Sequence, residues 1–177
     1  MSSYNVRSEI EDTRKLLGIT KDCFSEVGMT KWENIQRKFE EKFIEKKSYK
    51  SSFYWYWEHF NCEAEAINAN GIKYFVTKQL FEKNEIVYFF VLDNDKFWFY
   101  EGDIYSINEI SYECGLNEYY ILDKKYEWFM ACTHHLTFIG CGEKIITKMR
   151  AFIEKESEII EKLNKKTPFY DKYKPIF

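Results

Sequence analysis

At 177 residues with a formal net charge of −3, 26 Lys and Arg interspersed with 29 Asp and Glu, the chain carries no field that would draw it onto a phosphate backbone, which argues against nucleic-acid partners. One domain of this size buries roughly 70% of the surface its unfolded form exposes, so a core forms without disulfides or a structural metal, and no cofactor is implied. No apolar run approaches the ~20 residues that span a bilayer, so no membrane partner is expected.

Aromatics reach 20% of residues, a composition that points to stacking surfaces until codon usage is considered. Phe, Tyr, Ile, Asn and Lys have A/T-rich codons, and Lys outnumbers Arg 22 to 4, so a low-GC genome accounts for most of the enrichment. Tryptophan has a G-rich codon and escapes that account. Trp32, Trp55, Trp57, Trp98 and Trp128 are therefore the aromatics expected to be kept for physical reasons, core packing first among them. Cys23, Cys62, Cys114, Cys132 and Cys141 are odd in number, scattered, and form no Cys-x-x-Cys pair. With no apolar h-region near Met1, they predict reduced thiols and a cytoplasmic location.

In chain order, the first third reads as helices at about 9–17, 21–27 and 31–46. Ser8 with Glu11, and Thr30 with Glu33, have capping-box spacing, in which the hydroxyl and the carboxylate satisfy each other's orphan N–H groups. Gly18 and Gly28 follow helical stretches where a left-handed residue is wanted. In the third helix Trp32, Ile35, Phe39 and Phe43 form an apolar stripe with Lys and Glu opposite. Residues 49–62 are a continuous aromatic run without a period, read here as a strand.

Ile72 to Thr77 alternates like a half-buried strand, whereas Ile86 to Leu92 is apolar on both faces and reads as a central one. Asp93-Asn94-Asp95-Lys96 supplies a tight turn before Phe97-Trp98-Phe99-Tyr100, which predicts a hairpin. A helix at about 104–114 ends at Gly115, and strands follow at about 118–123, 128–133 and 136–140, with Gly140 and Gly142 breaking the pattern. From Glu143 to about Asn164, Ile145, Met149, Phe152, Ile159 and Leu163 keep a near-heptad stripe interrupted by Glu156. The tail 165–177 has aromatics but no period, so it is expected to drape over the surface or stay mobile.

The sum is a single α+β domain over 1–177: a helical part at 1–46, a sheet core at 72–142 and a closing helix at 143–164 packed on it. The sheet is expected to be mostly antiparallel with about five to six strands.

No nucleophile elbow, phosphate loop, His-Glu-x-x-His or EF-hand loop occurs, so no catalytic residue is assigned. His134-His135, between Cys132 and Cys141, is the nearest approach to a zinc ligand set. Successive strand residues point to opposite faces, so the two imidazoles converge only where a turn lies. Turn histidines bonded to carbonyls or to a Tyr are the simpler reading, and no metal is assigned. Asp93 and Asp95 fit a carboxylate pair for a cation, but Asx residues at a hairpin tip are ordinary turn chemistry. His59 beside Glu58 reads as amphipathic packing, and Cys132 sits in an apolar strand where burial raises a thiol's pKa. What remains is a binding surface, for which Trp55, Trp57, Tyr119, Tyr120, Trp128, His134 and His135 are the candidates, half or more of them being core.

Tyr119-Tyr120-Ile121, Lys124-Lys125, Trp128, His134-His135 and Gly140, with the upstream Trp98-Phe99-Tyr100-Glu101-Gly102, resemble a family of small uncharacterised bacterial proteins over roughly residues 85–145. Members of that family carry Glu-Asn-His-His-Asp around the histidines. Here Ala131-Cys132-Thr133 precede them and Leu136 follows, so the polar flanks are missing. The resemblance implies a bacterial source. The order of elements is also loosely similar to that of Smi1/Knr4-type immunity domains, a likeness that implies toxin binding and no catalysis.

The leading expectation is thus a cytoplasmic bacterial protein-binding module, immunity- or antitoxin-like, with a protein partner. The alternative is a small metal-assisted hydrolase or nuclease centred on His134 and His135, with Asp93, Asp95 or Cys132 nearby. A sensor for a small aromatic or nucleotide ligand in a Trp/Tyr pocket is a third.

Overall fold

A computed structural model describes residues 5–45, 55–93 and 95–166. Its centre is a seven-stranded antiparallel sheet made of β1 (Phe24–Glu26), β2 (Ala64–Asn68), β3 (Ile86–Asp93), β4 (Lys96–Asp103), β5 (Tyr119–Asp123), β6 (Phe129–Cys132) and β7 (Thr137–Cys141). The strands lie in the order β1-β4-β3-β5-β6-β7-β2. Among the described residues five α-helices accompany them: α1 (Val6–Leu16), α2 (Met29–Phe43), α3 (Lys73–Leu80), α4 (Ile104–Glu113) and α5 (Glu143–Lys166). The α+β class and the packed C-terminal helix expected from sequence are both present.

Period-two alternation divides the sheet's apolar residues between two cores. On one face Phe89, Tyr119, Ile121, Met130, Cys132 and Phe138 meet residues of α1, α3, α4 and α5. On the other, Phe90, Tyr120, Leu122, Phe129, Ala131 and Cys141 meet Ile35, Phe39 and Phe43 of α2 and Tyr56. The central strands are therefore apolar on both sides although every pairing is antiparallel. Where α5 starts, glycine is obligatory. Gly142 has φ +99°, and a Cβ there would stand 2.4 Å from the carbonyl oxygen of Glu127. At Gly140 a Cβ would stand 2.6 Å from Sδ of Met149, so the bare backbone lets α5 lie close on β7.

The two edge strands explain why the sheet has seven strands where five to six were expected. Residues 21–27, expected as helix, turn at Lys21–Cys23 and become β1, where Phe24 pairs with Gly102 and stacks on Tyr100 at 5.0 Å. A seven-residue helix, too short to be stable alone, gains less than this pairing. β2 went unread because Ile67 alone among its five residues is buried. Ile72 to Thr77 is the start of α3, not a strand: Val76 and Leu80, four apart, bury on one helical face beside Thr77. Residues 55–58 of the aromatic run form a 3-10 turn at Tyr56–Glu58 instead of a strand, and 49–54 lie outside the described residues.

The capping boxes also differ. Asn5 caps α1 by accepting from the N–H of Ser8, and Gly28 is the N-cap of α2, not the end of a helix, with no side-chain cap. Asn5 lies three residues earlier and accepts from the N–H of Ser8 itself, so Ser8 falls inside the first helical turn instead of at its cap. Gly18 takes φ +66° after α1, as expected. The side chains of Glu156, Ile159 and Leu163, Asn94 of the hairpin turn and the tail beyond 166 are outside the described residues.

Candidate functional site

The site is built where β5, β6 and β7 share one end of the sheet. Thr133 and Leu136 close the β6–β7 turn through a Leu136 N–H to Thr133 carbonyl bond of 2.9 Å, and Thr133 N–H donates to Thr137 at 2.9 Å. Leu136 holds φ +56°, a left-handed conformation that a bulky residue rarely adopts. His134 and His135 occupy the tip, and their rings lie 4.1 Å apart. The adjacent histidines do converge, because a turn and not a strand carries them.

Facing them is the 3-10 turn. Tyr56 is buried, stacked on Phe97 at 4.9 Å and edge-on to Phe39 at 4.7 Å. Its hydroxyl donates to Glu40 of α2, and Gln36 Nε2 donates to it at 2.9 Å. Burial first, then the neighbouring Glu40 carboxylate, pushes this hydroxyl's pKa up, so it stays a donor. Backbone bonds from Glu45 N–H to His59 at 2.8 Å and from Asn61 N–H to Phe43 at 2.9 Å tie the following segment to the end of α2. With Tyr56 pinned inward, its neighbours flank the turn unequally: Trp55 stands outside, while Trp57 is half-buried against the α2-side core, its indole nitrogen buried without a hydrogen-bond partner. Trp55 is 44% exposed. Trp55 and Trp57 are 6.2 Å apart, Trp55 and His134 5.7 Å, Trp57 and His134 5.8 Å, and Trp57 and His135 6.2 Å.

Beneath these rings lies Glu118, which leads into β5. Its Oε1 accepts the Tyr120 hydroxyl at 2.7 Å and its Oε2 is 2.9 Å from Nδ1 of His134. Burial and then the Glu118 hydrogen bond push the Tyr120 hydroxyl's pKa up, so it stays a donor to the carboxylate. As a carboxylate, Glu118 takes a proton donor on Nδ1, which orients the His134 ring and leaves Nε2 as its other polar atom.

Of the seven candidate residues, the structure brings four together: Trp55, Trp57, His134 and His135. The other three are core, fewer than the half or more expected from sequence. Tyr120 is fully buried on the α2 face and supports Glu118 from below. Tyr119 is buried on the opposite face. Trp128 is 1% exposed and sits at the far end of β6 from the histidines, stacked on Phe81 at 4.9 Å. A hairpin-flanking Trp gave no sign of its face without the register. Glu118 and Tyr56 were missed for a related reason: their roles arise from the pairing of Tyr119 with Cys132 and from contacts to α2, neither visible in a linear pattern.

The site presents two indole faces, two imidazoles and a carboxylate held in place. Cys132 lies on the other face of the sheet, and burial pushes its thiol up to about 11. Asp93 and Asp95 belong to the β3–β4 hairpin, separated from the histidine turn by β5; Asp95 has φ +62°, a turn conformation Asp tolerates. Among the described residues, no group of three or more His, Cys, Asp and Glu side chains could hold a metal ion, and no helix is long and apolar enough to cross a membrane.

No curated protein and no solved structure matches the chain. A family model spans both the sheet and the histidine turn: the chain belongs to the family of unknown function DUF6756, matched over residues 2–153.

Proposed function

We propose that this protein is a bacterial, cytoplasmic binding module that engages a protein partner through the face formed by Trp55, Trp57, His134 and His135, in the manner of an immunity or antitoxin protein occluding its target. The observation that carries the reading is the convergence of these four rings, with Trp55 44% exposed, on a rigidly supported turn pair. Trp dominates interface hot spots because it offers a large rigid contact area at low entropic cost. Tyr56 and Glu118 hold the face in shape before any partner arrives, which reduces the ordering cost of binding. Affinity capture from an extract of the source cell, with the native chain beside Trp55→Ala and Trp57→Ala variants, tests it. A partner retained by the native chain and lost from both folded variants supports the reading; equal retention by all three defeats it.

The alternative, a small metal-assisted hydrolase or nuclease, draws on the Glu118–His134 pair, which has the form of an imidazole oriented by a carboxylate. Zinc titration by calorimetry separates the two. Heat that disappears in a His134→Ala, His135→Ala double variant favours chemistry, and no heat removes it.

A further inference from the structure

The segment that runs from the end of α2 to the start of β2 is fixed on both sides of Cys62. Before it, Phe60 bridges to Ile44 and sets its ring edge-on to Phe129 at 5.4 Å. Asn61 donates its backbone N–H to the Phe43 carbonyl at 2.9 Å and its amide N–H to the Ile44 carbonyl at 3.4 Å. After it, Ala64 enters β2 as the register partner of Cys141. Phe129 is the register partner of Cys141 from β6, on the other flank of β7. Cys62 is therefore bracketed by one residue packed on a neighbour of Cys141 and another paired with Cys141 directly. The thiols of Cys62 and Cys141 meet in a hydrogen bond.

The two sulfurs differ in access. Cys62 is exposed, whereas Cys141 is fully buried in the α2-side core. Burial, and then the contact with Cys62, pushes the Cys141 thiol up, so Cys141 stays protonated while Cys62 meets solvent. The other cysteines are placed elsewhere. Cys114 and Cys132 belong to the opposite core, and Cys23, exposed like Cys62, precedes β1 at the far edge of the sheet. An accessible thiol held against a sheltered one is the arrangement in which the first takes an oxidant and the second resolves it.

We propose that Cys62 and Cys141 are an oxidation site for hydroperoxides, which closes an intramolecular disulfide between the segment after α2 and the end of β7. The Cys62 sulfur attacks the peroxide, the O–O bond breaks, and an S–O bond forms. The thiol proton leaves with the displaced oxygen as an alcohol or water, and Cys62 becomes a sulfenic acid. The Cys141 sulfur then attacks that of Cys62, the S–O bond breaks, and a second water leaves with the Cys141 proton. The two thiols lose two electrons and the peroxide gains them. Sulfurs already in contact have only to close to a bond of about 2 Å, and this proximity offsets the weak nucleophilicity of a buried thiol. The inference is independent of the binding face described above, because it uses none of Trp55, Trp57, His134 and His135.

The test treats the full chain with hydrogen peroxide at neutral pH, blocks the remaining thiols with N-ethylmaleimide in guanidinium, and maps the peptides without reduction. The peptide holding Cys62 is expected to be joined to that holding Cys141, two hydrogens lighter than their sum, within a single chain. Cys114 and Cys132 are expected to be recovered as maleimide adducts. The cross-link should form at least about tenfold faster in the folded chain than in urea, since the fold supplies the proximity. In a Cys62→Ser variant, changed only at an exposed position, Cys141 should stay reduced. Formation at equal rates in urea, or oxidation of Cys141 in Cys62→Ser as fast as in the native chain, overturns the proposal. So does Cys62 recovered as a sulfinic acid, or in a disulfide with Cys23 or with a second chain, while Cys141 carries maleimide. Recovery of both thiols unoxidised at a peroxide dose that oxidises the exposed Cys23 overturns it as well.

Discussion

Nδ1 of His134 lies 2.9 Å from Oε2 of Glu118, which joins the tip of the β6–β7 turn to the residue leading into β5. The other oxygen of that carboxylate takes the hydroxyl of the buried Tyr120. A core side chain on the α2 face thereby sets the position of an exposed imidazole.

Tyr120→Phe removes the donor and keeps the ring. A hydrogen bond to a charged group contributes about 1.5–3 kcal/mol, so urea denaturation is expected to show a loss of that size. A midpoint equal to that of the native chain would mean that Glu118 is served as well by water.

Core and surface tryptophans separate cleanly by mutation. Trp128→Ala empties a site that is 1% exposed and is expected to cost about 3–5 kcal/mol, whereas Trp55→Ala, at a position 44% exposed, stays within about 0.5 kcal/mol. Thermal melts of the two variants decide it; similar losses would place Trp55 in the core.

Gly142→Ala meets two obstacles at once, a φ of +99° and the Glu127 carbonyl oxygen 2.4 Å from the new Cβ. Strain and overpacking each cost about 1–3 kcal/mol, so a loss of at least about 2 kcal/mol is expected in chemical denaturation. An unchanged midpoint would show that the β7–α5 junction relaxes freely.

The pH dependence of α1 has a definite sign. A two-pronged hydrogen bond from Arg14, at 2.8 and 2.9 Å, holds the Glu11 carboxyl at about 2 against its ordinary 4.5. A folded value below the unfolded one adds stability that is complete above pH 4.5 and is lost as the pH falls towards about 2. The Arg14 side chain is buried but that of Glu11 is 42% exposed, so solvent screens the pair and its contribution is on the order of 1 kcal/mol. Glu11→Gln is expected to lower stability at pH 7 and to converge with the native chain near pH 2. Denaturation curves at both pH values check this, and a difference that grows in acid would refute it.

The second half of the chain was legible because its signals are local. Ile86–Leu92 and Phe97–Tyr100 carry apolar residues on both faces around an Asp-rich turn, and the helix ending at Gly115 and the one starting at Glu143 have clear boundaries. The misread parts depend on distant partners. β1 exists because Phe24 finds Gly102, and the 3-10 turn because Tyr56 finds Glu40 and Phe97. At the site, the residue types Trp and His were right to single out, but separating Trp55 and Trp57 from Trp128 required the register of β6 against β5 and β7. Adjacent histidines met only through the turn geometry that Leu136 accepts with φ +56°.

The most direct measurement is affinity capture with a double variant, Trp55→Ala with Trp57→Ala, compared with the native chain and normalised for folded protein by circular dichroism. A hot-spot face predicts that a specific protein is bound by the native chain and that its retention falls at least about 30-fold in the variant, the equivalent of roughly 2 kcal/mol. Undiminished retention of that protein by the folded double variant would contradict the assignment of Trp55, Trp57, His134 and His135 as the binding face.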